Sequence, residues 1–376
     1  MKILFVIDHF RNPYAGTEGQ LHKLIRSLVK RRHDVHLLVF SSSDFTASGQ
    51  VGCPVTVLGD RRLFSLRMWW KLWAVARAFR ADGYRFAHVF FNDPSVICPP
   101  VFRAAGIRTI ISRRDMGYWY SPGYLAFLRF NSRIVAGAIV NSTAVKERTA
   151  QKEGIRSDAI RVIYNGLDTV SPDSENSLDL KAWRTKQNVV LVGVVANIRP
   201  IKRICDAIQA LAVLKDKVPS LRLALVGDGD PSELRRLAAD LNVENRVFFA
   251  GPRSPAVDSI IHFDIGLLCS ESEGFSNSII EYMLCGLPVV CTNVGGNPEA
   301  VDDGVNGFLY GAGDVDTLAA RLALLAQDPK LRRKMGQAGK DKAARYFSVD
   351  VMVDQHLAVY QDVLGLADKN EQVSAH

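Results

Sequence analysis

The sequence lacks the features of a membrane-spanning, zinc-binding or nicotinamide-binding protein. Its 376 residues contain no apolar run of 18 or more, so no helix is predicted to cross a bilayer. The six cysteines form no Cys-x-x-Cys pair and no zinc spacing, which is typical of reduced thiols in a core. Ser232 stands where a dinucleotide fingerprint needs its third glycine, after Gly227 and Gly229. We therefore expect a cytoplasmic protein that is not a dehydrogenase.

Charge is distributed unevenly along the chain, whose formal net charge is +8. Residues 1–170 carry 25 Lys and Arg against 12 Asp and Glu, whereas the remainder carries 22 against 27. A basic half beside a mildly acidic half is typical of a protein with one domain that meets an anionic surface. A solvated basic face is the alternative. No nucleic-acid-binding motif accompanies the charge, so nucleic acid is not an expected partner.

Short apolar runs alternate with helical patterns from end to end. The first-half runs are residues 3–7, 35–40, 55–58, 88–91, 109–112, 134–141 and 161–164, and the alternation restarts at residue 189. Runs so short and uniformly apolar favour strands of a parallel sheet covered on both faces. The polar, turn-rich residues 170–177 favour a linker. We predict an α/β protein of two Rossmann-like, doubly wound domains that face a central cleft.

The most informative segment is residues 270–281 (SESEGFSNSIIE), predicted to follow a strand and open a helix. Backbone N–H groups at such a turn are unpaired and point beyond the strand end, where Gly274 allows close approach. Glu273 in the turn can accept hydrogen bonds from sugar hydroxyls, and Glu281 in an otherwise apolar helix needs a partner. The alternative is that Glu273 caps the helix and Glu281 lies on its solvent side.

Glu273 and Glu281, followed by residues 285–290 (CGLPVV) and 294–299 (VGGNPE), resemble the donor-site signature of the retaining glycosyltransferases of family four. Those enzymes have the two-domain GT-B fold. Further resemblances extend over nearly the whole chain, at residues 14–20 (a glycine loop), 162–168, 197–203 (a basic phosphate-binding turn), 225–229, 249–251, 345–348 and Tyr360.

The resemblance implies a role for each predicted domain. Residues 1–170 form an acceptor-side domain, 171–186 a linker and 187–345 a nucleotide-sugar-binding domain. Residues 346–367 form a terminal helix that crosses back to the first domain, and residues 368–376 form a flexible tail. The expected partners are therefore a nucleotide-sugar donor and a glycan or lipid-linked acceptor.

The resemblance also implies roles for individual residues. Glu281 binds the ribose hydroxyls, and Glu273 holds the donor sugar. Gly16 and Gly19 lie where the N-terminal loop approaches the phosphates. The implied donor-binding residues in the C-terminal domain are Arg199, Lys202, Gly251, Arg253, Glu273, Gly274, Phe275, Ser276, Asn277 and Glu281, with Gly251 and Arg253 near the base.

Arg199 and Lys202 lie three residues apart at a predicted strand-to-helix turn. A guanidinium fork and an ammonium point charge can stabilise a departing nucleoside diphosphate without a metal. With Glu273 they form the candidate catalytic set, and we expect no metal and no cofactor. A solvated helix start is the alternative for the two cations. The D-x-D triplet at residues 228–230 is interpreted as a turn, because Asp and Gly favour turns.

One departure from the family pattern lies in the N-terminal domain. Many relatives carry a histidine after the strand that corresponds to residues 109–112, whereas this sequence continues Arg113-Arg114-Asp115. Arg114 is predicted to occupy the histidine's position. Arginine cannot act as a base at neutral pH, so Arg114 is expected, with Asn165, on the acceptor or phosphate side. Asp115, the nearest titratable group, is a further catalytic candidate.

The function predicted from these features is retaining transfer of a sugar from a UDP-sugar, in preference to a GDP-sugar, in cell-surface polysaccharide or glycolipid biosynthesis. A nucleotide-sugar 2-epimerase of the same fold and a non-catalytic binding subunit are the alternatives. An epimerase needs an acid–base set, and none is evident in the sequence. Intact donor-site residues argue against a binding subunit, and the missing histidine argues for it.

Two aromatic-basic segments of the N-terminal domain suggest an anionic membrane surface as a further partner, at the inner face of the membrane. In residues 60–73 an apolar stripe of Leu63, Leu66, Trp70 and Trp73 recurs at helical spacing among cations. Residues 118–133 interleave Tyr, Trp and Phe with two arginines. Aromatic rings suit the headgroup level and Lys or Arg suits anionic lipid. The alternative is that the tryptophans pack into the core.

Overall fold

The computed structural model describes residues 1–14, 16–59, 65–168, 178–184 and 189–365, which divide into two compact units. The first unit consists of Met1–Gly166 and the chain from Val349 onward, and the second of Leu167–Ser348. Each is built on a parallel sheet with helices on its faces, so the prediction of two Rossmann-like domains is confirmed. Within the described ranges, no helix is long and apolar enough to span a bilayer.

The first unit has a seven-stranded sheet in the order β3-β2-β1-β4-β5-β6-β7. Its strands are β1 Lys2–Ile7, β2 Asp34–Val39, β3 Val55–Val57, β4 Phe86–Val89, β5 Arg108–Arg113, β6 Gly137–Val140 and β7 Ile160–Val162. Its helices are α1 Gly16–Lys30, α2 Asp44–Ala47, α3 Leu66–Ala81, α4 Asn92–Ala104, α5 Pro122–Asn131, α6 Thr143–Glu153 and α15 Val349–Leu364. The strand order reverses between β1 and β4, and such sheets bind ligands beyond their carboxyl edge at that point.

Helices cover both faces of this sheet because each has one apolar stripe to bury. On one face α1 packs against α15, and the buried apolar stripe of α1 recurs at helical spacing and consists of Leu21, Leu24, Ile25 and Leu28. On the other face, α3, α4, α5 and α6 form a continuous layer in which neighbouring helices touch. The buried stripe of α3 is Met68, Leu72, Ala76 and Phe79.

The second unit has a six-stranded sheet in the order β10-β9-β8-β11-β12-β13. Its strands are β8 Val190–Val195, β9 Leu221–Val226, β10 Val247–Gly251, β11 Ile265–Leu268, β12 Val289–Thr292 and β13 Gly307–Tyr310. Its helices are α7 Leu178–Arg184, α8 Ile204–Val213, α9 Ser232–Asp240, α10 Val257–Ile260, α11 Asn277–Leu284, α12 Asn297–Ala300, α13 Val315–Gln327 and α14 Pro329–Tyr346. The order reverses between β8 and β11, so the turns after these two strands are neighbours.

The segments predicted as linker and tail are described only in part. Residues 171–177 and 185–186 of the predicted linker lie outside the described residues, whereas Leu178–Arg184 form α7. The predicted terminal helix corresponds to α15, and the boundary between the two units falls between Ser348 and Val349. The predicted tail, residues 368–376, lies outside the described residues.

Candidate functional site

Two turns at the carboxyl edge of the second sheet are bonded to each other. Lys202, at the end of the short 3-10 turn after β8, places its Nζ 2.6 Å from Oε1 of Glu273, in the loop after β11. The backbone N–H of Glu271 donates to the carbonyl of Ile201 at 2.8 Å. Both side chains of the ion pair are mostly buried, Lys202 being 26% and Glu273 12% exposed. The pair therefore fixes both turns in one position.

Arg199 lies at the start of the same 3-10 turn and is exposed to solvent. Among the described residues its guanidinium has no hydrogen-bond or ion-pair partner, in contrast to that of Arg203, which binds the buried carboxylate of Asp206 at 2.9 Å. Of the two predicted leaving-group cations, Lys202 is thus positioned by a carboxylate, whereas Arg199 is exposed, and its contact with a leaving group stays a prediction.

The loop that carries Glu273 is held on its other side by the turn after β12. The N–H of Gly296 donates to the carbonyl of Gly274 at 3.1 Å. Gly295 has a φ of +53°, and a Cβ there would lie 1.7 Å from the carbonyl oxygen of Glu273. Only glycine permits that approach, which is why the sequence has glycine at this position.

The loop leads directly into α11, whose N-cap is Ser276 and whose first residue is Asn277. The N-cap side chain makes no capping hydrogen bond, so the amino end of this helix is not closed by its own cap residue. Glu273 binds Lys202 instead of capping α11, so the alternative interpretation of Glu273 as a helix cap is wrong. Glu281 lies in the second turn of α11 and is half-buried.

The side chain of Phe275 belongs to the core of the second unit. It is 5% exposed and its ring lies 5.3 Å from that of Phe347, edge to face. Gly274 and Ser276 on either side are also buried. Any contribution of Phe275 to a ligand at this loop therefore comes from its backbone.

Gly251 and Arg253 lie at the end of β10, two strands away from β8. Gly251 has a φ of +68° and open space where a Cβ would be, which leaves room for a ligand. Arg253 forms an ion pair with Asp179 of α7 at 2.5 Å and donates a hydrogen bond to the carbonyl of Ala250 at 3.2 Å. The structure brings Arg253 to the strand end that the prediction names, with its guanidinium turned partly to α7.

In the first unit, Gly16 opens α1 and Gly19 packs inside its first turn. A Cβ on Gly19 would lie 3.0 Å from the carbonyl oxygen of Pro13, so the loop before α1 approaches the helix closely. Glu18 holds that loop by accepting the N–H of Arg11 at 2.5 Å. Gln20 accepts the N–H of Gly166 at 3.0 Å, which ties the helix start to the end of the first unit's main segment.

Arg114 and Asn165 are hydrogen-bonded to each other at the carboxyl edge of the first sheet, and their role on the acceptor or phosphate side stays a prediction. Nη2 of Arg114 donates to Oδ1 of Asn165 at 3.0 Å, and Asn141 donates to the backbone carbonyl of Arg114 at 3.0 Å. Burial lowers the pKa of Arg114 to about 10, so it stays a cation at neutral pH. Within the described part of the chain no carboxylate lies at ion-pair distance from it. The arrangement suits an anionic ligand group.

The carboxylate of Asp115 accepts hydrogen bonds from residues of its own loop. Its Oδ1 accepts the N–H of Gly117 at 2.7 Å and Nε1–H of Trp119 at 3.0 Å. Burial raises the pKa of Asp115. These bonds account for the residue without a catalytic role, and the catalytic role stays a prediction.

The D-x-D triplet forms a turn. Asp228 accepts the N–H of Gly229 at 2.9 Å, and Asp230 accepts the N–H of Ser232 at 2.9 Å, at the start of α9. Its interpretation as a turn is confirmed.

Comparison with known families matches both units. The family model for "Glycosyl transferases group 1" matches residues 175–342, and the model for "Glycosyltransferase Family 4" matches residues 14–171. The chain belongs to the family-four glycosyltransferases of group 1.

Individual relatives agree with this assignment. N-acetyl-alpha-D-glucosaminyl L-malate synthase of Bacillus anthracis is 32% identical over 216 residues, 57% of this chain and 56% of the relative. D-inositol 3-phosphate glycosyltransferase of Acidothermus cellulolyticus is 30% identical over 249 residues, 61% of this chain and 55% of the relative. The chain thus spans little more than half the length of these curated relatives.

A solved structure matches this chain over a longer stretch than these relatives do. Anabaena Alr3699/HepE in complex with UDP has a TM-score of 0.84 and 26% identity, and the match covers 96% of this chain and 100% of that one. The same protein has been solved with UDP-glucose, with a TM-score of 0.80. The GT-B fold predicted for this family-four chain is thereby confirmed.

Two buried polar clusters of the first unit were not among the predicted site residues. Arg113 forms a buried bidentate ion pair with Glu153 of α6, at 2.6 and 2.9 Å, and Tyr120 donates to the same carboxylate at 2.5 Å. His88 in β4 meets Tyr360 of α15, Nδ1 to hydroxyl 2.8 Å. A histidine inside an apolar strand run was a sequence signal for the His88–Tyr360 contact. The Arg113–Glu153 pair joins residues 40 apart, and no sequence motif indicates it.

Proposed function

We propose that this chain is a retaining glycosyltransferase that moves a sugar from a nucleoside-diphosphate sugar to a glycan or lipid-linked acceptor. The observation that carries the proposal is the Lys202–Glu273 pair beside the amino end of α11, on a chain of this family. A UDP-sugar is the favoured donor, because the Anabaena protein of matching fold is described in complex with UDP and with UDP-glucose. Cell-surface polysaccharide or glycolipid biosynthesis is the proposed setting.

In this proposal the second unit binds the donor through both its sugar and its diphosphate. Glu273 accepts hydrogen bonds from the donor sugar with the carboxylate oxygen that Lys202 does not occupy. Glu281 accepts from the ribose hydroxyls. The N–H groups at the start of α11 and the turn of Gly274 face the sugar and phosphate, where the partial positive charge of a helix start favours anions.

Departure of the diphosphate is the step at which the cations act. As the bond between the anomeric carbon and the phosphate oxygen breaks, its electron pair goes to that oxygen, and negative charge grows on the diphosphate. Arg199 and Lys202 stabilise this charge with fixed N–H donors, an interaction that counts more in the transition state than in the ground state. The acceptor oxygen then forms the new bond to the anomeric carbon, and its proton passes to the departing phosphate oxygen, which has gained the electron pair of the broken bond. No metal is needed in this scheme.

Arg114 takes a different part from the histidine of other family members. It is a half-buried cation that hydrogen-bonds Asn165 and has no carboxylate partner among the described residues. We propose that it binds a donor phosphate or an acidic group on the acceptor, since a guanidinium binds phosphate and carboxylate in a planar fork.

A membrane surface on the first unit is the second part of the proposal. Leu66, Trp70 and Trp73 of α3 are 89%, 67% and 38% exposed, which argues against the alternative that these side chains fill the core. Leu63 lies outside the described residues. Phe127 and Phe130 of α5 are 40% and 57% exposed. Helices α3 and α5 flank α4 in one layer, so both aromatic sets share a face of the sheet.

Nucleotide binding provides the first test. UDP, GDP, ADP and CMP are compared by thermal shift, because a ligand that binds only the folded state raises the melting temperature by mass action. We expect the largest shift with UDP. Donor consumption is then followed with and without candidate acceptors: transfer needs an acceptor, epimerisation does not, and a binding subunit consumes no donor. Absence of any shift with all four nucleotides would contradict the proposal.

A further inference from the structure

A cavity of about 670 Å³ lies at the amino edge of the first sheet, where β5 and β6 begin. Three arginines line it, Arg103, Arg108 and Arg133, with a single carboxylate, Asp362. Arg108 opens β5 and Arg114 follows its other end, so a strand of about 20 Å separates the cavity from the predicted acceptor side. The cavity therefore does not belong to the candidate site.

Basic residues at this edge have an ordinary explanation, because helices of the layer end here and favour cations at their carboxyl ends. Arg108 fits that explanation, since it donates to the carbonyl of Val363 in the last turn of α15. Asp362 is paired with Arg161 at 3.7 Å. Arg103 and Arg133 are exposed, and within the described ranges their guanidinium groups have no hydrogen bond or ion pair. Two unused cations thus line the cavity.

The surface beside the cavity is aromatic. The N–H of Arg133 donates to the carbonyl of Phe130, so the cavity lining begins one turn after this exposed ring. Phe127 lies three residues before Phe130, on the same side of α5. A guanidinium pocket beside exposed rings combines the two chemistries of a lipid headgroup region, a phosphate and an apolar boundary.

We propose that this arginine pocket binds the phosphate of an anionic lipid headgroup, with Phe127 and Phe130 at the boundary between headgroups and acyl chains. Arg103 and Arg133 supply fork-shaped donors to the phosphate oxygens, and Arg108 holds the end of α15 at the cavity wall. The inference rests on the proposed membrane contact of the α3–α6 layer and adds to it a discrete site. A free phosphate has the same charge chemistry, and only the lipid uses the rings.

The test compares a pocket variant with a charge-matched control. Arg103→Gln/Arg133→Gln removes both unused cations. Arg26→Gln/Lys30→Gln removes two exposed charges from α1, on the opposite face of the sheet. Glycerol phosphate, the soluble headgroup, is titrated into each protein by NMR. Flotation is measured with phosphatidylglycerol vesicles and with phosphatidylcholine vesicles at physiological salt, with Trp70→Ser as a variant that alters only the α3 surface.

We expect saturable glycerol phosphate binding by the unaltered protein and the α1 control, and its loss in the pocket variant. Partition onto phosphatidylglycerol should fall about 30-fold in the pocket variant and less than about twofold in the control. Equal losses in both double variants, or no saturable glycerol phosphate binding, would overturn the pocket. Glycerol phosphate binding without vesicle binding would overturn its assignment to a lipid. UDP binding is measured separately, so failure of the donor proposal stays distinguishable.

Discussion

Lys202 and Glu273 form an ion pair of 2.6 Å across 71 residues of sequence, joining the turns that follow two neighbouring strands. The pair places a carboxylate and an ammonium beside the start of α11. Preorganised groups of this kind need no rearrangement when charge develops on a leaving group. The proposed chemistry therefore depends on how firmly the loop of Glu273 is held.

Gly295 is one of the residues that hold it, so we predict that Gly295→Ala destabilises the protein and weakens donor binding. The new Cβ would lie 1.7 Å from the carbonyl oxygen of Glu273 and must displace that loop. Overpacking of this kind costs about 1–3 kcal/mol beyond the strain of a positive φ. Denaturant unfolding measures the first effect and UDP titration the second.

Gly304→Ala is the matched control. Gly304 has a φ of +77°, and no atom lies within 4 Å of the position that a Cβ would take, so alanine there adds backbone strain alone. We expect a loss of about 1 kcal/mol with unchanged UDP affinity. Equal effects of the two substitutions on both measurements would show that the contact with Glu273 does not matter.

The free energy of unfolding should decrease as the pH is lowered, because two histidines of the first unit are buried as neutral groups. Burial lowers the pKa of His356 to about 3 and that of His88 well below its usual range, with the Arg114 cation adding to both shifts. The unfolded chain binds these protons near pH 6.5, so stability is present above that value and is lost as pH falls towards 3. Each histidine contributes up to about 1.4 kcal/mol per pH unit.

Denaturant unfolding at pH 7, 6, 5 and 4.5 tests this. His356→Gln removes one group that takes up a proton on unfolding. It should therefore reduce the slope of unfolding free energy against pH by up to about 1.4 kcal/mol per pH unit. A variant that keeps the full slope of the unaltered protein would place the titrating groups elsewhere.

The periodic and motif-bearing parts of this structure could be predicted from sequence. The apolar spacing of α1 indicated its buried face, and the segment of Glu273 and Glu281 showed a loop followed by a helix. These features are local, since the physical signal lies within one or two turns of chain.

Long-range pairings could not be predicted in this way. The Arg113–Glu153 ion pair and the His88–Tyr360 contact join residues 40 and 272 apart, and no local pattern specifies them. The orientation of α3 was also open, because it has two apolar stripes. Tertiary packing buries the stripe that contains Met68 and Leu72 and leaves the stripe that contains Trp70 exposed.

We predict that the proposed sugar transfer keeps the anomeric configuration of the donor. Retention is the outcome of the family that the sequence resembles, and the sequence offers no evident base for the opposite face of the sugar. An NMR time course of UDP-sugar and acceptor reports the configuration of the first product by its anomeric coupling. A first-formed product of inverted configuration would refute this prediction.

In the proposed function, Lys202 and Glu273 mark a metal-independent site for a nucleoside diphosphate. Titration calorimetry of UDP in excess chelator tests it most directly, with Lys202→Ala and, as the control, Lys217→Ala at an exposed turn. We predict binding that persists in chelator, weakens by about 1.5–3 kcal/mol in Lys202→Ala and is unchanged in Lys217→Ala. Undiminished affinity in Lys202→Ala would remove Lys202 from the nucleotide site, and loss of all binding with chelator would show that the site needs a metal.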